Sequence, residues 1–162
     1  MMENLLGFTA ISIVSFVTLI MALHWRGIFN ILIVALFLRI FILLFGHYIS
    51  PLPDSTSDAV GFEITAWKLG QQGFFSLLNQ FEFSPFVFFS WLHAIPYSLF
   101  GRSVLMAQSI SLLFGIGTII LGWKIAIIVW NDSVANKVAW TMALFPSLVL
   151  YLVGTKQSPC SL

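Results

Sequence analysis

An all-α, polytopic transmembrane protein is the fold class this sequence predicts, with four or five spans and one amphipathic helix lying in the membrane interface. Three observations predict it. Only 8% of the residues are charged and 59% are hydrophobic, with a mean hydropathy of +1.00, whereas a water-soluble domain carries roughly 25% charged residues. Two early apolar runs, at about 5–23 and 28–45, have close to the roughly 20 residues that carry a helix across a bilayer. Polar groups gather instead in one island, residues 51–63, which holds Asp54, Asp58 and Glu63. The same figures exclude other classes. A net charge of +1 gives nucleic-acid binding no electrostatic support. The single cysteine, Cys160, permits neither an intrachain disulfide nor a cysteine metal site. The 17 phenylalanines suit lipid-facing helix surfaces first and a wall for an acyl or isoprenoid chain second.

The elements follow in order. The first run is preceded by Met-Met-Glu3-Asn4, without a cation or a small-residue cleavage site, and reads as an anchor. His24-Trp25-Arg26-Gly27 is a short interfacial turn, and the second run is interrupted by Arg39. Arg26 marks the first turn as cytoplasmic by the positive-inside bias. The N-terminus and the loop over 46–82 then lie outside the plasma membrane. Within that loop Phe62, Ala66, Leu69, Gly73, Leu77 and Phe81 recur at helical spacing, while Glu63, Lys68, Gln71, Gln72, Ser76 and Asn79 fall mostly off the stripe. Such a helix is too polar to span and belongs in the interface. Gly70 and Gly73 weaken it and predict a break.

Ser84-Pro85 opens the next segment, since proline suits a first helical turn. Residues 86–100 are apolar but short, contain His93 and Pro96, and either cross or re-enter. Residues 104–130 are long enough to span, with Gly115, Gly117 and Gly122 for close helix approach. Asn131-Asp132-Ser133 is a turn with capping potential. Residues 134–153 make a last span containing Pro146, and 156–162 form a polar tail. Two topologies remain open. If 86–100 crosses, Arg102 is cytoplasmic; if it re-enters, Arg102 is outside, and Lys124 and Lys137 are inside.

Asp58 is the residue best placed for chemistry. Beside the membrane, its carboxylate can act as a general base on an acceptor hydroxyl or amine. With Asp54 or Glu63 it can hold a divalent cation. Ser55-x-x-Asp58 also matches a capping box, which makes Asp58 a first-turn residue favoured by the helix dipole. Arg39 lies about 9 Å below the expected helix end and either snorkels or turns inward to pair with Asp58 or a phosphate. His47 and His93 have no ligand-spaced partner, so no histidine metal site is expected. No nucleophile elbow, P-loop or dinucleotide fingerprint is present.

The order of these features resembles a known family. A leucine-rich helix with Arg39 precedes a loop with an aspartate. Asp58-x-x-x-Phe62-x-x-x-Ala66-x-x-Leu69-Gly70 follows. Then come Ser84-Pro85-Phe86, Trp91, Leu99-Phe100-Gly101, a glycine-rich span and Ala143-Leu144-Phe145-Pro146. Residues 28–155 in this order are similar to the N-terminal part of C-type-fold integral-membrane glycosyltransferases, in the protein mannosyltransferase and lipid A aminoarabinose transferase group (glycosyltransferase family 39-like). The resemblance implies transfer of a sugar from a polyprenyl-phosphate carrier to an acceptor outside the membrane. It implies that Asp58 is the essential carboxylate of the first external loop. Arg39 matches the arginine of the preceding helix, and Ser84-Pro85 the start of the segment near the carrier. Asp54 and Glu63 are further substrate-binding candidates. Phe62 stands where the family commonly has tyrosine, Ser84 where it has histidine, and Gln108 where an arginine usually follows. The family's chains are several times longer. This one reads as truncated, and a second polypeptide is expected to complete the site. The contrasting expectation is a small non-enzymatic membrane protein, an assembly partner or transporter subunit, indifferent to Asp58.

Overall fold

The computed structural model describes residues 2–49, 58–79 and 85–145. Every regular element among them is helical. In chain order they are α1 (Met2–His24), a single 3₁₀ turn (Arg26–Ile28), α2 (Phe29–Tyr48), α3 (Asp58–Gln71), α4 (Phe74–Asn79), α5 (Pro85–Phe100), α6 (Val104–Val129) and α7 (Asp132–Leu144).

Three stretches are long and apolar enough to cross a membrane: Glu3–His24, Arg26–Tyr48 and Val104–Val129, of 22, 23 and 26 residues. Against the expectation of four or five spans, three such helices stand among the described residues. The predicted segment 86–100 is a 16-residue helix with Pro96 inside it, about 24 Å long against a hydrocarbon core of roughly 30 Å. The predicted span 134–153 is helical to Leu144, and Phe145 is extended. Residues 146–153, with Pro146, lie outside the described residues, as does the tail 156–162.

Two groups of helices pack on each other. The first joins α1, α2, α6 and α7 around a core that includes Ile11, Val14, Leu32, Leu36, Leu112, Ile116 and Ala139. Helices α1 and α6 run parallel. Ser103 Oγ donates to the Glu3 carbonyl at 3.0 Å at one end, and Trp25 meets Trp123 edge-on at 5.8 Å at the other. They approach closely at Gly7, where an added Cβ would overlap Leu105. The glycines expected to serve this purpose lie in α6. Of these, Gly122 faces Met142 of α7, while Gly117 has open space before it.

The second group is α3, α4 and α5, whose core of Ala66, Leu77, Ala94 and Tyr97 is closed by Met106 and Ala107 of α6. Helices α3 and α5 run parallel and in register. Phe62 packs on Phe89 at 6.1 Å, and the Phe62 carbonyl accepts from Ser90 Oγ at 3.4 Å. Further on, Gly70 lies against Ala94, Tyr97 and Ser98. The predicted interfacial helix breaks at Gly73, whose φ of +88° is a left-handed conformation that only glycine adopts freely. The chain then doubles back as α4, and Trp91 Nε1 donates to the Leu77 carbonyl at 2.8 Å.

Candidate functional site

Helix α3 is described from Asp58 onward, and the predicted capping box with Ser55 lies outside the described residues. The Asp58 side chain, Asp54 and Ser84 lie outside the described residues. The backbone register nevertheless locates two of the predicted segments. Phe62 is opposite Phe89 and Ser90, and Gly70 is opposite Tyr97 and Ser98. Counting back four residues brings Asp58 level with Pro85, the first residue of α5. Helices α3 and α5 therefore start at the same end of the pair.

Glu63 takes a different place from the one its spacing suggested. It was expected off the buried stripe, yet it is buried, with Ala66, on the packed face of α3. Arg102 explains this. Its Nε and Nη2 donate to the two Glu63 carboxylate oxygens, each at 2.8 Å. A bidentate pair of this kind satisfies a carboxylate that burial alone would penalise. The Arg102 guanidinium also stands 6.0 Å from the Trp67 ring, and Trp67 meets Tyr97 edge-on at 6.1 Å. The hydrogen bond to Glu63, joined by the attraction of its charge, raises the Arg102 pKa despite some desolvation. Arg102 is therefore a permanent cation in the turn between α5 and α6. Both Glu63 oxygens are engaged, so the pair fastens α3 to that turn.

Arg39 does not snorkel, and among the described residues it meets no acid. Helix α2 runs on to Tyr48, so Arg39 lies nine residues, about 13 Å, below that end. Its Cα–Cβ bond also points back toward the helix start. The side chain is 2% exposed. Its Nη2 and Nη1 face the carbonyls of Met142 and Ala143 at 3.4 and 3.5 Å, and its Nε has no partner among the described residues. These carbonyls belong to the last turn of α7, the negative end of a helix dipole. Helix α7, 13 residues long and so about 20 Å, stops partway along the bundle, with Arg39 at its end.

His93 lies in α5, its Nδ1 2.7 Å from the Phe89 carbonyl and its Nε2 3.2 Å from Ser111 Oγ of α6. It is a buried link between the two groups. Among the described residues no three His, Cys, Asp or Glu side chains gather as a metal site would require.

Arg102 is the functional neighbour that spacing did not reveal, because its partner is 39 residues away. The available signal was scarcity of charge: a carboxylate on an apolar helix needs a cation, and Lys68 and Arg102 are the nearest downstream candidates. No family model, curated protein or solved structure matches the chain.

Proposed function

We propose that the chain is the N-terminal module of a glycosyltransferase that takes a sugar from a polyprenyl-phosphate donor and passes it to an acceptor outside the membrane. The motif order supports this reading. The observation that supports it most is the register of α3 and α5, in which the backbones of Asp58 and Pro85 share one end of the helix pair. Two parallel helix N-termini side by side also direct backbone N–H groups and dipoles to where a donor phosphate would sit. Asp58 accepts the proton of the acceptor hydroxyl as its oxygen bonds to the anomeric carbon. The bond from that carbon to the phosphate oxygen breaks, and polyprenyl phosphate leaves. Glu63 and Arg102 position α3 for this and take no part in the bond changes.

The test uses membranes of the native host, with the chain deleted and then restored as wild type or as Asp58→Asn. Sugar transfer from a labelled polyprenyl-phosphate donor returns with wild type. It falls about 100-fold or more with Asp58→Asn, the scale of a lost general base, at equal membrane insertion. Equal transfer by both, or transfer independent of the chain, overturns the reading in favour of a non-enzymatic membrane partner.

A further inference from the structure

We infer a binding site for an anionic lipid headgroup at the end of the bundle opposite Arg102. Three cations reach that end from three elements: Arg26 from the turn between α1 and α2, Lys124 from α6 and Lys137 from α7. All three are exposed. Among the described residues none has a carboxylate within ion-pair distance, whereas Arg102 at the other end does. The only described acid at this end is Asp132, in the first turn of α7, where it complements the helix dipole.

The cations do not stand on a plain solvated surface. Lys124 Nζ sits 3.9 Å from the centre of the Trp25 ring, which holds the flexible lysine in place. Trp25 is braced edge-on by Trp123 at 5.8 Å and by His24 at 5.5 Å. Trp123 Nε1 donates to Asn136 Oδ1 at 3.1 Å, tying α6 to the residue before Lys137. Gly27 lets the turn lie against Trp123, where a Cβ would be 3.2 Å from its ring. Indole rings prefer headgroup depth, so the aromatic frame sets its cations at the height of lipid phosphates. The ligand is a membrane phospholipid with a net negative headgroup, and this end faces the leaflet that carries such lipids.

Native mass spectrometry of the detergent-released chain tests this, after equilibration with equal phosphatidylglycerol and phosphatidylcholine. Phosphatidylglycerol is retained preferentially, and Arg26→Gln and Lys124→Gln each lower its retention about fivefold, as for one surface cation. Trp25→Leu, which keeps the charge and removes the ring, lowers it as well. Equal retention of the two lipids, or retention unchanged in Arg26→Gln with Lys124→Gln together, overturns the inference. Retention that follows net charge alone, matched by Lys68→Gln at the other end, overturns it too.

Discussion

Arg39 shows what a single charge does inside an apolar bundle. A buried cation is tolerable when strong partners offset its desolvation. Here the partners are two carbonyls at 3.4 and 3.5 Å, the outer edge of hydrogen-bond geometry, so little is returned. Arg39→Met then loses weak contacts and a costly charge together. It is expected to shift unfolding in detergent by no more than about 1 kcal/mol. Arg39→Glu sets an anion against the same carbonyls and is expected to cost about 3 kcal/mol or more. Equal damage from both would show that the cation itself holds the bundle. Glu63 and Arg102 are the contrasting case, bidentate at 2.8 Å and with the Glu63 side chain 6% exposed. Arg102 is about one-third exposed, and solvent screening discounts the pair. A double-mutant cycle with Glu63→Gln and Arg102→Gln is expected to give a coupling of about 1–2 kcal/mol. Coupling near zero would remove the pair as the fastening of α3.

At the scale of elements, the sequence was most legible where a local rule decides. Asn131 was read as a capping turn, and its Oδ1 accepts from the Val134 N–H at 3.0 Å. Gly73 was read as a weak point, and the helix breaks there. Long-range partners were not legible, because nothing in a window of residues ties Glu63 to Arg102 or Arg39 to the end of α7. The stripe on α3 was mistaken at Glu63 for that reason: a paired carboxylate occupies an apolar position. Helix α7 was expected to run to 153. Phe145 is already extended, as the residue before Pro146 tends to be. Glycine packing separates the helix pairs experimentally. Gly7→Ala forces a Cβ onto Leu105, within the close α1–α6 contact, and is expected to cost about 1–3 kcal/mol. Gly122→Ala meets the flexible Met142 side chain, which can move aside. It should cost less, as read by thermal unfolding in detergent. The reverse order would contradict the packing of α1 on α6.

Among the described residues, Arg39 apart, charge gathers mostly at two ends of the bundle. Glu3, Glu63 and Arg102 gather where α1 and α6 begin, while Arg26, Lys124 and Lys137 gather where α6 ends. The α5–α6 turn therefore shares an end with the start of α1, and the α6–α7 turn lies at the opposite one. We propose, from the positive-inside bias, that the three-cation end faces the cytoplasm and Arg102 the outside. External chemistry at α3 depends on that orientation. It is tested most directly by labelling intact cells with a membrane-impermeant maleimide, using single cysteines at Arg102 or Asn131 in a Cys160→Ser background. The account predicts labelling at 102 from outside and labelling at 131 only after the membrane is opened. The reverse pattern, or labelling of both from outside, would contradict it.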